Sequence, residues 1–285
     1  MALPVNEHND PMQENETIEI ELFLQAIYLK FGYDFRNYGK AHIRRRLRHR
    51  MGTSGFSSVS AMIHPLLYDP LFYQEILQDL SITVTEMFRD PEFYKTVRTE
   101  VVPMLKTYPF VKIWHAGCAT GEEVYSMAIL LHEEGLLNRS QIYATDFNQI
   151  ALQKAKNGIY AIEKVKEFTY NYQKSEGKSS FSDYFNAHYG SVKMNDFLKR
   201  NIVFADHNLV TDGVFGEMNL IICRNVLIYF DKELQNKVIH LFYESLIPGG
   251  FLCLGSKESL RFAAKADAFD IISEKEKIYR RKFSP

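Results

Sequence analysis

Seven consecutive residues carry the first chemical signal: Gly117-Cys-Ala-Thr-Gly-Glu-Glu123. Val111, Ile113 and Trp114 before them read as a buried strand. Val124, Ala128 and Leu131 after them share one helical face. Strand, small-residue turn and helix open a doubly wound α/β domain, whose ligands bind beyond the carboxyl ends of the strands. Glycine lets the backbone approach a ligand where a Cβ would clash. Two carboxylates at the helix start repel a phosphate and suit a cation. The third glycine of the dinucleotide fingerprint G-x-G-x-x-G is also missing. The stretch therefore reads as a site for S-adenosylmethionine, which carries an ammonium and a sulfonium, rather than for a nicotinamide dinucleotide. Asp146 ends the next apolar run. Its carboxylate can accept both hydroxyl protons of a ribose, and it can also cap the helix that follows.

A second signal is electrostatic. Lys40-Ala-His-Ile-Arg-Arg-Arg-Leu-Arg-His-Arg50 holds six cations in a chain of net charge −1. Ile43, Leu47 and Met51 give this helix one narrow apolar stripe. The remaining surface, with Arg44, Arg45 and Arg48, reads as a solvated face or as a docking face for an acidic partner. No aromatic residues interleave, which weighs against single-stranded nucleic acid.

The positioning elements follow from pattern. The 285 residues suffice for one large domain or two small ones, and 46% hydrophobic with 24% charged residues is ordinary for a globular protein. No apolar run reaches membrane-spanning length. Cys118, Cys223 and Cys253 are odd in number and lie in apolar runs, as reduced cytoplasmic thiols do. No histidine and cysteine spacing suggests a metal site. Residues 1–16 are polar and read as a mobile tail. A helical domain is expected over 17–80, beginning with a helix from Thr17 to Lys30. A linker over 81–92 ends at Asp90-Pro91, a good helix start. An α/β domain is expected over 93–285, with strands near 141–147, 201–206 and 251–255, and a further strand with its tip over 218–231. Residues 268–272 and 277–282 read as a closing antiparallel pair. Residues 157–200 interrupt the α/β rhythm for longer than a loop does, and read as an inserted small β-subdomain.

Three motifs now stand in order: Thr83-Val-Thr-Glu-Met-Phe-Arg89, Gly117–Glu123 with Tyr125-Ser126, and Cys223-Arg-Asn-Val-Leu-Ile-Tyr-Phe-Asp231. Together they resemble the CheR family of chemotaxis receptor methyltransferases, over roughly residues 17–282. The resemblance implies a Rossmann-like S-adenosylmethionine-dependent methyltransferase domain with an inserted β-subdomain, preceded by an all-helical domain. It implies methyl transfer to glutamate carboxylates in the helical cytoplasmic region of chemoreceptors, by a cytoplasmic monomer that neither enters the membrane nor binds nucleic acid. By position it implies that Arg89 meets the cofactor carboxylate, with the Thr83 and Thr85 hydroxyls nearby. Glu123 would meet the ammonium, and Asn208-Leu209 would frame the adenine. Arg224 and Asn225 would sit at the fourth strand's tip, with Tyr229 near the methyl group. Some members bind a receptor's C-terminal pentapeptide as an added strand, through a glycine-rich loop. Here that loop reads Asn186-Ala-His-Tyr-Gly-Ser, with one glycine, so no such tether is expected. A related pathway (pili or surface sensing) and a cofactor-binding docking module without activity are the alternative readings.

Overall fold

The computed structural model describes residues 11–81, 84–261 and 263–283. The chain divides into two compact units. One runs to residue 82 and takes in Tyr229–Asp231; the other holds the rest.

The first unit is helical. Its helices are Pro11–Phe31, Lys40–Ser54, Ile63–Tyr68 and Pro70–Leu80. The Asp69 side chain accepts from the N–H of Leu71 at 2.9 Å and of Phe72 at 3.4 Å, and Pro70 opens the helix it caps. Ile43 and Leu47 are buried as the apolar stripe required, and Met51 is half-buried. The first helix departs from expectation: it starts at Pro11, not Thr17. The polar residues 11–16, assigned to a tail, are helical from Pro11 onward, and Glu16 among them pairs with Arg44 and Arg48. Tyr229–Asp231 joins this unit through its backbone. Gly39 N–H donates to the Tyr229 carbonyl at 2.7 Å, and Asp231 N–H donates to the Asn37 carbonyl at 2.9 Å.

The second unit is built on ten strands: β1 Val111–Ala116, β2 Ser140–Asp146, β3 Ile159–Ala161, β4 Phe185–His188, β5 Ser191–Met194, β6 Ile202–Asp206, β7 Met218–Cys223, β8 Leu246–Leu254, β9 Phe269–Ser273 and β10 Ile278–Arg281. Seven form one sheet in the order β6-β2-β1-β7-β8-β10-β9. β6, β2, β1, β7 and β8 run parallel, and β10 is antiparallel to both its neighbours. β7 is buried throughout, as a parallel strand covered on both faces must be. Chain order reverses between β1 and β7. That switch point opens a crevice beyond their carboxyl ends.

Residues 157–200 form the expected small sheet, antiparallel, in the order β3-β5-β4. Tyr189 (φ 37°) and Gly190 (φ 75°) alone connect β4 to β5. Two positive φ values in a two-residue link make a tight hairpin, which matches strand twist. The insertion also contains a helix, Val165–Lys174, which buries Phe168 and Tyr172.

Candidate active site

The turn after β1 is shaped by three left-handed residues: Gly117 (φ 76°), Ala119 (φ 49°) and Gly121 (φ 89°). A Cβ on Gly121 would lie 2.8 Å from the Ala155 Cβ, so the turn can pass there only as glycine. The N–H groups of Gly117 and Cys118 both donate to the Thr145 carbonyl, at 2.9 and 2.8 Å. Asp146 completes this stitch between strand tips. One carboxylate oxygen accepts from Ala119 N–H and the other from Asn148 N–H, each at 2.9 Å. Burial pushes the Asp146 carboxyl up, against the downward pull of those two donors. The helix cap expected of Asp146 falls to Asn148, whose side chain accepts from Ile150 and Ala151.

A buried ion cluster stands at the start of the Glu122–Glu133 helix. The Arg224 guanidinium, 2% exposed, donates to Glu123 Oε2 at 2.7 Å and to Asp90 Oδ2 at 2.6 Å. It also lies over the Phe93 ring, 4.1 Å from its centre. Burial works against the Arg224 charge, but Glu123, Tyr94 and Asp90 outweigh it and raise its pKa. Burial would likewise raise the Glu123 carboxyl, yet Arg224 and His115 together hold it below its ordinary value. Glu123 thus faces a cation of the protein itself. Asp90, expected as a helix cap, makes no capping hydrogen bond and spends its carboxylate on Arg224. The Arg224 Nε is buried without a hydrogen-bond partner in the described residues.

Arg89 sits between two strained residues, Phe88 (φ 53°) and Asp90 (φ 56°), neither of them glycine. The Phe88 N–H donates to Ser126 Oγ at 2.9 Å, which fastens this segment to the helix after the glycine turn. Arg89 is half-buried, and its charge acts on Glu86. Among the described residues its guanidinium makes no hydrogen bond or salt bridge, while its carbonyl accepts from Arg224 at 3.4 Å. Thr85 is half-buried. Thr83 lies outside the described residues. After β6, the Asn208 side chain accepts from Val210 N–H at 3.0 Å, and Leu209 is buried.

Tyr229 belongs to the helical unit, where its ring meets His42 edge-on at 5.4 Å. In the same unit, Glu16 accepts from Arg48 and forms an ion pair with Arg44 at 3.4 Å, Arg50 pairs with Glu75 and Asp79, and Arg46 donates to the Asp79 carbonyl. The basic helix is therefore largely neutralised by acids of its own unit, and Arg45 is exposed.

Sequence reasoning missed Glu258. Its buried carboxylate accepts from the backbone of the β7 tip, including Val226 N–H at 2.9 Å. The available signal was a glutamate three residues after Gly255 at a strand end, a modest one.

Comparison with known proteins bears on both units. The family model "CheR methyltransferase, SAM binding domain" matches residues 83–278, and "CheR methyltransferase, all-alpha domain" matches residues 18–81. A putative methyltransferase, Cher3, of Pseudomonas putida is 51% identical over 94% of this chain and 98% of its own length. Chemotaxis protein methyltransferase 2 of Vibrio cholerae is 29% identical over 84% of each chain. Among solved structures, the N-methyltransferase NodS of Bradyrhizobium japonicum, in complex with S-adenosylhomocysteine, matches 64% of this chain and 71% of its own at 16% identity, with a TM-score of 0.35.

Proposed function

This chain belongs to the CheR methyltransferase family, and from that premise we propose that it is a protein-glutamate O-methyltransferase acting on chemoreceptors. The family membership makes it an S-adenosylmethionine-dependent chemotaxis methyltransferase. The finer reading names the acceptor: glutamate carboxylates in the helical cytoplasmic region of receptors. Among the described residues no helix is long and apolar enough to cross a membrane, so the membrane would be reached through the receptor.

The observation that carries the reading is the glycine turn at the switch point, where Asp146 accepts from Ala119 N–H and Glu123 stands in the first turn of the helix that follows. This donor set fits S-adenosylmethionine. Arg89 offers a fork of N–H donors to a carboxylate. Each Asp146 oxygen accepts one backbone N–H and retains a lone pair for a ribose hydroxyl. Glu123, already balanced by Arg224, adds negative potential toward an ammonium without carrying an unpaired buried charge. Asn208 and Leu209 would frame the adenine; Arg224 and Asn225 would border the transferred methyl.

The chemistry asks little else. The cofactor supplies a methyl group on a positively charged sulfur. A glutamate with pKa near ~4.3 is already an anion at neutral pH, so no general base is needed. Charge cancels as carboxylate meets sulfonium, and the residues' work is to strip water from the carboxylate and align it with the methyl–sulfur bond. For docking, Arg45 is the cation of the Lys40–Ser54 helix best free to meet an acidic receptor helix.

The test is methyl transfer itself. Incubation with methyl-labelled cofactor and a receptor signalling fragment should label the fragment, and mild base should release the label as methanol. Label that stays on the fragment in base would mean an amine or amide acceptor and would overturn the ester reading.

A further inference from the structure

The β7 tip, Arg224 to Ile228, holds residues the functional reading puts beside the reacting methyl. One side chain outside it holds its backbone in place. Glu258 is 5% exposed and follows the end of β8 by one short turn, closed by its own N–H donating to the Gly255 carbonyl at 2.9 Å. One carboxylate oxygen accepts from Gly255 N–H at 2.5 Å and Asn225 N–H at 3.1 Å. The other accepts from Val226 N–H at 2.9 Å and Ile228 N–H at 3.3 Å. Four backbone donors thus converge on one side chain, three of them from the β7 tip.

The tip needs such a clamp. Asn225 is left-handed (φ 61°), a conformation that persists in a non-glycine residue only where its surroundings enforce it. The surroundings here close in from two sides. A Cβ on Gly255 would lie 2.7 Å from the Asn225 nitrogen, so the two strand tips touch backbone to backbone. A Cβ on Gly117 would lie 2.7 Å from Val226 Cγ2, so the turn after β1 rests on the same tip. No other side chain is recorded accepting from these three N–H groups among the described residues.

We propose that Glu258 is a positioning residue for methyl transfer: its carboxylate fixes the backbone of residues 225–228 and so aims the β7 tip at the reaction. The inference rests on the methyltransferase reading for its kinetic consequence, but not for the clamp itself. Only a carboxylate has the four acceptor positions this arrangement uses. An amide has one acceptor oxygen, and its NH2 group would face backbone donors.

The test compares Glu258→Gln with Glu258→Asp in the full chain. Glu258→Gln should lower kcat by about 100-fold, the scale expected when reacting groups are displaced by about an ångström. Its affinity for S-adenosylhomocysteine and its receptor KM should stay within about 5-fold of the parent, since the loss falls on the transition state. Glu258→Asp keeps all four acceptor positions and should recover part of kcat. Hydrogen exchange read without any substrate should speed up at the Asn225, Val226, Ile228 and Gly255 amides in Glu258→Gln, with the amides inside the strands unchanged. A folded Glu258→Gln protein with parental exchange at those amides overturns the clamp. Accelerated exchange with parental kcat, or a kcat loss matched by loss of folded protein and not relieved by aspartate, overturns the positioning role. If the parent protein methylates no receptor glutamate, the functional reading fails instead, and the exchange measurement still decides the clamp.

Discussion

Two groups of arginines in this molecule do opposite things with the same side chain. On the Lys40–Ser54 helix Arg45 and Arg48 are exposed, and Arg48 shares one carboxylate, Glu16, with the half-buried Arg44. In the α/β unit a single guanidinium, Arg224, is enclosed, serves two carboxylates and stacks on Phe93. Exposed pairs in water contribute little to stability, are screened by salt, and are easily exchanged for a partner's charges. An enclosed pair cannot be exchanged, because removing one member strands the other away from water. The surface set therefore suits reversible recognition, and the enclosed set suits a rigid site.

The contrast can be broken most forcefully at Arg224. Replacing it by Ala leaves Glu123 without its counter-ion in a buried site, and should destabilise the protein by about 3–5 kcal/mol in chemical denaturation. Methyl transfer should be lost with it. A loss below about 1 kcal/mol, the scale of an exposed pair, would erase the distinction between the two groups. A smaller effect is expected at the surface. Changing Arg44, Arg45 and Arg48 to Ala should raise the receptor KM several-fold, more at low salt, while cofactor affinity holds. Most of that rise should appear in Arg45→Ala alone, because Glu16 occupies the other two. A receptor KM unchanged across the salt range would leave the face merely solvated. The smallest expected signal comes from the β-subdomain. The tight Tyr189-Gly190 hairpin offers no glycine-rich loop for an incoming strand to close against. Titration with a receptor C-terminal peptide should give no binding at micromolar concentration. Binding that maps to residues 180–200 would show that the β4 edge accepts a tether after all.

The fold was largely legible because its signals are local. The glycine turn, the alternation of strand and helix, the Asp90-Pro91 start and the closing hairpin all lie within a few residues of the features they specify. The site was legible as a set of residues and not as a set of partners. Arg224 meets Glu123 across 101 residues and Asp90 across 134, and no period or propensity reports a contact of that range. Glu258 reaches back 32 residues to Val226 for the same reason. Residues 11–16, assigned to the tail, were misread for a related reason, while residues 1–10 lie outside the described residues. Their polar composition suggests disorder, yet Glu16 pairs with arginines 28 and 32 positions later, inside a helix that begins at Pro11. One error hid the other: with Glu16 in a tail, the basic helix looked more uncompensated than it is.

The claim beneath both comparisons is that the stitched tips of β1 and β2 are the cofactor site. Calorimetric titration of S-adenosylhomocysteine into Asp146→Ala tests it directly. Loss of hydrogen bonds to a charged group should weaken binding by about 1.5–3 kcal/mol, or roughly 10- to 150-fold, in a protein that still folds. An affinity equal to the parent's would remove Asp146 from the site and contradict the account.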